Sequence, residues 1–262
     1  MKYSEKYTIT SFDVDINNNM RPTSLINYLQ ETANHQMRDR KPSYYDFFRE
    51  GKSFVVTRMS IEVMEQIGQY EEVEVRTWAC PAGGATFPRS YDVVRDGRVI
   101  VKAYSEWAVP NRNTGKLCRH DEIDISNYEN EKAVELSIPK KYRFPGNLEF
   151  ERKGEHVVSY SDCDMNLHVN NANYSNMLWD YIPGIEEKEI TSINVRFNHE
   201  AQLGSTIDIY MRAFDNEFSK DPRASETFAF KTFVKGKKNV EFLIGVKEAG
   251  HRTGKSTDTP RK

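Results

Sequence analysis

The chain has 262 residues, of which 38% are hydrophobic, 12% aromatic and 29% charged, and its formal net charge is −2 at pH 7. Disordered chains lack aromatic residues, so this composition predicts a folded protein with a sizeable core. The near-neutral charge argues against nucleic acid as the main partner. Three scattered cysteines argue against a disulfide framework, and no Cys-x-x-Cys pair offers a zinc site.

The N-terminal segment does not predict a secretory signal. The first ten residues, MKYSEKYTIT, have no apolar segment of the kind found in secretory signals. No stretch approaches the roughly 20 apolar residues that span a bilayer. We therefore expect a cytoplasmic protein without a membrane span. Residues 249–262 are rich in Gly, Thr and Lys, and we expect them to form a disordered tail.

The first half of the chain predicts one long helix followed by antiparallel strands. Pro22 suits a first helical turn, apolar residues follow it at helical spacing, and the segment 38–42, RDRKP, ends the pattern. Polar and apolar residues then alternate with period two, which is typical of antiparallel strands with one buried face. Asp96-Gly97 predicts a hairpin turn between two of these strands.

The second half repeats this order of elements. Residues 121–150 are irregular and contain Pro139 and Pro145, so we place a linker at 136–155. A polar loop follows, then an apolar helical stripe from Tyr174 to Ile182, and then alternating strands. We therefore predict a first repeat at 1–135 and a second repeat at 156–248.

Fixed offsets align the two halves. An offset of 149 residues aligns a polar run and a helical stripe: Asp13 with Asp162, Asp15 with Asp164, Asn17 with Asn166, and the stripe beginning at Leu25 with that beginning at Tyr174. An offset of 134 aligns the strands that follow. Because a helix with one apolar stripe needs a sheet face to cover it, each half is predicted to be a hot-dog unit, an antiparallel sheet wrapped around one helix. The fold class is then α+β, a double hot dog.

At two aligned positions an amide in the first half is replaced by an ionisable side chain in the second. His168 falls on Asn19, and Glu200 falls on Gln66. A purely structural repeat gives no reason to charge both positions in the same half. We therefore predict one active site, in the second repeat, and a catalytically silent first repeat.

The polar run before the second helix has two non-catalytic interpretations. Asp162, Asp164 and Asn166 match the first ligands of a calcium-binding EF-hand loop. The sixth position is Leu167 instead of Gly, however, and the twelfth is Asn173 instead of Glu. A turn rich in Asp and Asn that caps a helix is the other interpretation. Capping needs one such residue, and this loop has many.

The catalytic interpretation assigns the loop to acyl-group hydrolysis. Histidine is suited to proton transfer at physiological pH, so His168 can act as a base, while Glu200 could activate water. Backbone N–H groups near Asn170 could hold an oxyanion. Cys163 lies between two aspartates, which would raise the pKa of its thiol and disfavour it as a nucleophile. The chain has no Gly-x-Ser-x-Gly elbow and no nucleotide-binding glycine motif, so no cofactor is expected.

Three segments resemble the acyl-acyl carrier protein thioesterases. Residues 162–174, DCDMNLHVNNANY, are similar to the family's D-x-D-x-N-x-H-V-N-N-x-x-Y string. Residues 25–36, LINYLQETANHQ, resemble its opening helix with an L-Q-E-T-A segment. Residues 107–119, WAVPNRNTGKLCR, resemble its W-x-x-x-N-x-x-T-x-K-L-x-R segment. The resemblance extends to about residue 248.

This resemblance implies a double hot dog that hydrolyses the fatty acyl thioester on acyl carrier protein, ending chain growth in fatty acid biosynthesis. It implies that Asp164, Asn166 and His168 are the catalytic loop residues. It also implies that Glu200 is the glutamate of the family's Y-R-R-E-C segment. The plant cysteine after that glutamate is Ala201 here, which excludes a cysteine nucleophile at that point.

The same resemblance suggests where the substrate lies. The acyl chain is expected between the helix and the sheet of the first repeat, although ordinary core packing explains each lining residue equally well. The expected substrate contacts are Leu25, Ile26, Leu29, Met37, Trp107 and Asn170. Carrier protein is acidic, so its docking should use basic residues. The densest basic residues are Arg38, Arg40, Lys41, Lys140 and Lys141.

Two other classes of function stay open. One is a thioesterase that acts on acyl-coenzyme A. The other is a non-enzymatic acyl sensor on a hot-dog scaffold, although neither terminus offers the basic helix-turn-helix that a DNA-binding sensor would need. The sequence also leaves open the acyl chain length, the presence of a homodimer, and whether Glu200 or His168 activates water.

Overall fold

The structure is a computed structural model that describes residues 2–215 and 221–250. Within these ranges the helices are α1 (Pro22–Asp39), α2 (Tyr44–Arg49) and α3 (Asn173–Trp179). The strands of the first half are β1 (Tyr3–Thr8), β2 (Val55–Val63), β3 (Glu72–Ala79), β4 (Phe87–Arg95), β5 (Arg98–Ala108), β6 (Pro110–Asn111) and β7 (Lys116–Leu117). Those of the second half are β8 (Glu151–Val157), β9 (Lys188–Phe197), β10 (Thr206–Asp215), β11 (Glu226–Val234) and β12 (Lys237–Glu248).

Ten strands form one antiparallel sheet in the order β1-β3-β4-β5-β2-β9-β12-β11-β10-β8, and β6 pairs with β7 in a separate hairpin. Reading outwards from the middle, each half has the same succession of strands. Strand β8 begins inside the range 136–155, for which a linker is predicted, and pairs with β10 at the outer edge of the second half. The part of the predicted tail from residue 251 onwards lies outside the described residues.

Matching main-chain hydrogen bonds relate the two halves residue by residue. The Met20 N–H donates to the Ile67 carbonyl at 2.8 Å, and the Val169 N–H donates to the Ala201 carbonyl at 2.9 Å. The two donors differ by 149 residues and the two acceptors by 134. The offsets inferred from the sequence are therefore confirmed, and with them the double hot-dog fold.

The two repeats join where β2 pairs with β9. Ile61 lies opposite Ile193, and both side chains are at most 1% exposed. Next to them Ser60 lies opposite Asn194, and its Oγ donates to Asn194 Oδ1 at 2.9 Å. Because these two residues are equivalent at the 134-residue offset, each faces its own counterpart. The repeats are thus related by a pseudo-twofold axis that passes through this pair.

Helix α1 forms as its apolar stripe predicts. Pro22 occupies the first turn, and the side chains of Leu25, Ile26, Leu29 and Ala33 are buried. The N-terminal ends of α1 and α3 meet, where Thr23 Oγ1 lies 3.0 Å from Ser175 Oγ. The two helices therefore contact each other across the boundary between the repeats.

Helix α3 is shorter than its stripe suggests. It ends at Trp179, although the apolar pattern continues to Ile182. The N–H groups of Tyr181 and Ile182 each donate to the carbonyl three residues earlier, which makes tight turns instead of a further α-helical turn. Ile182 stays buried in this arrangement, so the pattern of burial continues after the helix has ended.

The connection between the repeats crosses the sheet on the face away from the helices. Phe144 packs against Ala229 and Leu243, which alternate along their strands with residues of the main core and so point to the opposite face. The Tyr142 hydroxyl donates to the Glu241 carbonyl at 2.7 Å. Within the described ranges, none of the helices is long and apolar enough to cross a membrane.

We call the pairing of β2 with β9 the seam between the repeats. Truncating a buried side chain in this seam should destabilise the whole chain. Ile193→Ala removes buried methylenes at the centre of the β2–β9 pairing. It should lower the free energy of unfolding by about 2–5 kcal/mol, the usual cost of such a cavity. The midpoint of chemical denaturation measures this change. Val157→Ala is the control: its side chain is 59% exposed, so the change should stay below about 0.5 kcal/mol. Equal shifts in the two variants would contradict the role of the seam.

Candidate active site

A tight loop at residues 162–168 carries three of the four predicted catalytic residues. The Asp164 N–H donates to the His168 carbonyl at 3.0 Å, and the Leu167 N–H donates to the Asp164 carbonyl at 3.0 Å. Leu167 adopts a φ of +65°, a left-handed conformation that is uncommon for residues other than glycine. The loop therefore has a defined backbone shape.

The first repeat has a loop of the same shape without the histidine. The Asp15 N–H donates to the Asn19 carbonyl at 2.8 Å, and Asn18 has a φ of +60°. Asp15 and Asp164 also play the same part in the two loops. Asp15 Oδ1 accepts the Asn17 N–H at 2.8 Å, and Asp164 Oδ1 accepts the Asn166 N–H at 2.8 Å. The loop backbone is thus a property of the repeat and does not by itself indicate catalysis.

His168 lies between two carboxylates. Its Nε2 is 3.8 Å from Glu200 Oε1, and its Nδ1 is 3.9 Å from Asp164 Oδ1. Both distances exceed a hydrogen bond, although such pairs are often loose in the absence of substrate. The Glu200 side chain is 65% exposed and that of His168 is 24% exposed. Solvent water can therefore reach the Glu200 carboxylate beside the imidazole.

Asn166 lies in the same loop but apart from this group. Its N–H donates to Asp164 Oδ1 at 2.8 Å, and its side chain is exposed. Among residues 2–215 and 221–250 its amide has no hydrogen-bond partner. The structure therefore brings Asp164, His168 and Glu200 together and leaves the Asn166 amide facing solvent.

Asp162 anchors the start of the loop. Its Oδ2 accepts hydrogen bonds from the Ser159 N–H and hydroxyl and lies 2.8 Å from His156 Nε2. Burial by itself would raise the pKa of Asp162, but these hydrogen bonds outweigh it and lower the pKa. Asp13 is held in the same way by Thr10 in the first repeat. This aspartate therefore serves the loop structure in both repeats.

Asn170 links the loop to α3. Its N–H donates to the Asp162 carbonyl at 2.9 Å, and its Oδ1 accepts the Ala172 N–H at 2.9 Å. The Asn170 N–H is thus occupied and is not available to an oxyanion. The next N–H, that of Asn171, has no protein acceptor in the described parts of the chain.

A buried polar network lies next to Glu200 and is not among the features predicted from the sequence. Asn239 Nδ2 donates to the Tyr174 hydroxyl at 2.9 Å and to the carbonyl of His199, the residue before Glu200. The Thr232 hydroxyl donates to Asn239 Oδ1 at 2.8 Å. Asn239, Tyr174 and Thr232 are fully buried, and burial raises the pKa of Tyr174 to about 12. The network therefore ties the strand end that carries Glu200 to α3.

The first repeat has an apolar core at the same place. The N–H groups of Met64 and Glu65 donate to the Ile100 carbonyl, as those of Asn198 and His199 donate to the Asn239 carbonyl. Ile100 is therefore the counterpart of Asn239. The counterparts of Tyr174 and Thr232 are Leu25 and Val93. An alignment of the two halves at an offset of 139 would have revealed this replacement of apolar residues by polar ones.

Cys163 has the electrostatics expected from its neighbours. Partial burial and the carboxylates of Asp162 and Asp164 raise the pKa of its thiol. The predicted direction is therefore confirmed, and the thiolate is disfavoured. Cys80 and Cys118 are buried.

Comparison with known proteins agrees with this organisation. Residues 1–127 match the family model of the acyl-ACP thioesterase N-terminal domain, and residues 147–244 match that of the C-terminal domain. The chain belongs to the acyl-ACP thioesterase family. The two family models together span both repeats, including the loop at 162–168 and Glu200.

Relatives and solved structures of this family span most of the chain. A chloroplastic oleoyl-acyl carrier protein thioesterase of Arabidopsis thaliana is 29% identical over 231 residues, which are 79% of this chain and 61% of the relative. A chloroplastic acyl-[acyl-carrier-protein] hydrolase of Cuphea viscosissima is 23% identical over 222 residues, 79% of this chain and 54% of the relative. The chain thus covers little more than half the length of these relatives.

Solved structures show the same fold. An acyl-ACP thioesterase from Bacteroides thetaiotaomicron superimposes with a TM-score of 0.80 at 23% identity, covering 93% of this chain and 97% of the other. The 12:0-ACP thioesterase from Umbellularia californica superimposes with a TM-score of 0.79 at 17% identity, covering 95% of this chain and 94% of the other. At these identities the similarity concerns the fold alone.

The residues expected to line an acyl pocket in this acyl-ACP thioesterase family member are tightly packed. Leu25, Ile26 and Leu29 belong to the main core. Met37 and Trp107 line a small cavity of about 30 Å³, room for about two water molecules. A fatty acyl chain would therefore have to displace side chains in order to enter.

One polar group, which the sequence analysis overlooked, lines this cavity. Arg89 is buried, which lowers the pKa of its guanidinium. Its Nη1 donates to Thr77 Oγ1 at 3.1 Å and to Gln36 Oε1. A cation thus lies at the wall of an otherwise largely apolar space.

The residues expected to dock carrier protein already have partners within the chain. Four of them contact carboxylates: Arg38 with Asp39, Arg40 with Glu129, Lys41 with Asp46, and Lys141 with Glu106. The fifth, Lys140, places its Nζ 4.8 Å from the centre of the Tyr104 ring. Their positive charge is therefore largely compensated locally.

The raised pKa of Cys163 predicts slow alkylation. Because the thiolate is the reactive form, iodoacetamide at pH 8 should modify Cys163 more slowly in the folded protein than after unfolding. Asp164→Asn removes one neighbouring charge and should speed the reaction by less than about tenfold, the effect of one pKa unit. Mass spectrometry of the labelled peptide measures the rate, with Cys163→Ser as the control for Cys80 and Cys118. Faster labelling of Cys163 in the folded protein than in the unfolded protein would contradict the raised pKa of its thiol.

Proposed function

We propose that this protein hydrolyses the thioester of a fatty acyl chain on acyl carrier protein and so releases the free fatty acid. The observation that carries the proposal is the pairing of His168 with the solvent-exposed Glu200 in only one of two repeats. Membership of the acyl-ACP thioesterase family supports the substrate class. The reaction would end chain growth in fatty acid biosynthesis.

Glu200 is suited to act as the general base. Its exposed carboxylate can take a proton from a water molecule as that water attacks the thioester carbonyl carbon. The C–O bond forms, and the carbonyl oxygen becomes an oxyanion. The Asn171 N–H, which has no protein acceptor in the described ranges, is the available donor to that oxyanion. Collapse of this intermediate then breaks the C–S bond.

His168 is suited to assist at both stages. The His168 imidazole lies less than 4 Å from the carboxylates of both Glu200 and Asp164. His168 can therefore receive the proton taken up by Glu200 and give it to the departing thiolate. The products are the fatty acid and the carrier thiol. Asp164 positions His168 and the loop, and Asn166 faces the solvent side, where it could orient the thioester.

A cysteine nucleophile is not part of this proposal. The pKa of the Cys163 thiol is raised, and Ala201 occupies the position after Glu200. Direct attack by water needs no covalent acyl-enzyme. A cytoplasmic location and a homodimer stay predictions; the curated relatives named above are chloroplastic.

Turnover on a panel of thioesters tests the proposal. Acyl-acyl carrier proteins of several chain lengths should release free thiol, and the most favoured length should be hydrolysed faster than the same acyl group on coenzyme A. Faster turnover of acyl-coenzyme A would favour the other carrier. The absence of thiol release from every thioester would favour an acyl sensor over an enzyme.

Removing either ionisable group should abolish most of the activity. Glu200→Gln and His168→Ala should each lower kcat by about 10²–10⁴-fold, the usual contribution of general acid–base catalysis. Glu187→Gln makes the same chemical change at an exposed site in the same repeat and should leave the rate unaltered. If Glu200→Gln and His168→Ala both kept near-normal hydrolysis, the assignment would be wrong.

The network around Asn239 should matter for rate more than for binding. Asn239→Leu makes this position apolar, as its counterpart Ile100 is in the first repeat. It also removes the hydrogen bond to the carbonyl of His199, the residue before Glu200. Because small displacements of a catalytic group are costly, kcat should fall by about 10–100-fold with little change in KM. Steady-state kinetics and a thermal melt test this together. Loss of stability with an unchanged kcat would reduce the network to a structural role.

A further inference from the structure

The turn that joins β11 to β12 lies next to the proposed active site. We call residues 235–237, Lys-Gly-Lys, the basic turn. His199 Nδ1 is 2.9 Å from the Lys238 carbonyl, and the His199 N–H donates to the Asn239 carbonyl at 3.2 Å. His199 immediately precedes Glu200. The basic turn therefore stands at the edge of the site from which Glu200 projects.

The first repeat contains the counterpart of this turn between β4 and β5. Asp96 and Gly97 have φ values of +51° and +74°, and Lys235 and Gly236 have φ values of +50° and +74°. The strand pairs that flank the turns also correspond, because Arg95 pairs with Arg98 and Val234 pairs with Lys237. Asp96 is thus the counterpart of Lys235, and Arg98 that of Lys237.

The turn of the first repeat is neutralised by acidic neighbours. Arg95 forms ion pairs with Glu65 and Glu71, and Arg98 Nη1 lies 3.5 Å from Glu65. Asp96 adds a further negative charge within the turn itself. The corner of the silent repeat therefore carries three acidic side chains against two basic ones.

The second repeat has no acidic side chain at the positions equivalent to these three acids. The Ile9 N–H donates to the Glu71 carbonyl, and the Val158 N–H donates to the Ser205 carbonyl, so Ser205 is the counterpart of Glu71. By the same hydrogen-bond correspondence His199 is the counterpart of Glu65. The three acids Glu65, Glu71 and Asp96 are thus replaced by His199, Ser205 and Lys235.

The two lysines of the basic turn are left uncompensated. Lys235 and Lys237 are exposed, and no acidic side chain of residues 2–215 or 221–250 lies within ion-pair distance of either. Their neighbour Lys238, by contrast, places its Nζ 2.9 Å from Glu241. A turn with positive φ favours Asp, Asn or Gly, so Lys235 does not serve the turn conformation. Its charge requires another explanation.

An apolar edge lies on the other side of the same site. Leu167 and Leu203 are both exposed, and the Leu203 N–H donates to the Leu167 carbonyl at 3.3 Å. Leu167 precedes His168 in the loop. Exposed apolar residues flanked by charged ones are typical of protein–protein contact surfaces. Glu200 and His168 therefore lie between an apolar edge and a basic turn.

We propose that Lys235 and Lys237 dock the acidic surface of acyl carrier protein, beside the entrance through which the acyl thioester reaches Glu200. This inference rests on the proposed function and names the surface that its partner uses. Complementary charge accelerates association and fixes the orientation of the partner. The basic turn offers free cations within reach of the site, whereas the basic residues favoured by sequence density are already paired.

The double variant Lys235→Glu/Lys237→Glu tests the proposal on three thioesters of one acyl group. At low salt its KM for acyl-acyl carrier protein should rise by about tenfold or more, because electrostatic steering contributes 10–10³-fold to association. The difference from wild type should shrink in high salt. Hydrolysis of the uncharged N-acetylcysteamine thioester should be unchanged, since the variant leaves the catalytic groups intact.

The matched control is Lys6→Glu/Lys116→Glu, which makes the same charge change at two exposed lysines of the first repeat. It should leave the KM for acyl-acyl carrier protein within about twofold of wild type, since distant exposed charges are screened. An unchanged KM in the Lys235/Lys237 variant would overturn the docking site and leave the enzyme assignment standing. An equal rise on acyl-coenzyme A would also overturn it, because the turn would then bind a phosphate of the substrate arm. A wild-type protein inactive on all three thioesters would overturn the proposed function itself.

Discussion

The pairing of β2 with β9 is the interaction on which the rest of the structure depends. It joins two five-stranded sheets into one and places Ser60 and Asn194 opposite each other on the pseudo-twofold axis. Without it, each half would expose an unpaired edge strand with a row of free backbone groups. Because the seam supplies this closure, the fold does not depend on which side chains occupy the polar loop of either repeat.

The first repeat uses the position equivalent to Glu200 to connect the two repeats. Gln66, the counterpart of Glu200, donates from its Nε2 to the Ile190 carbonyl of β9 at 2.8 Å. Asn19, the counterpart of His168, is buried, whereas His168 is partly exposed. The role proposed for Glu200 requires its carboxylate to reach solvent and substrate, whereas an amide that only cross-links the fold has no such requirement. The same backbone positions thus serve opposite requirements, and the difference in ionisable groups follows from the difference in exposure.

The repeats, the fold class and the position of the polar loop could be predicted from the sequence because they depend on periodicity and on aligned residue types. The end of α3 could not, because turns that donate to the carbonyl three residues earlier keep Ile182 buried just as an α-helix would. The density of basic residues in the sequence indicated 38–41 and 140–141 as the docking surface for carrier protein. It could not reveal their carboxylate partners, such as Glu129 and Glu106, which come from distant parts of the chain. The partners of Asn239 also lie on other elements, although a comparison of the two halves at an offset of 139 would have drawn attention to the residue itself.

The small cavity of the first repeat, where the sequence analysis expects the acyl chain, would limit the length of a chain that entered it. Each buried methylene of a chain contributes about 0.8 kcal/mol, and each displaced core side chain loses packing contacts. At about 30 Å³ the cavity holds only a small part of a fatty acyl chain. An acyl chain that entered at Met37 and Trp107 would therefore have to displace side chains. Entry would stop where displacing the next side chain costs more free energy than burying the next methylene gains. A buried cation, Arg89, lies at the wall of this space and penalises further apolar contact, because a guanidinium favours polar partners. On this argument the preferred chain length would be limited by a polar wall as well as by volume.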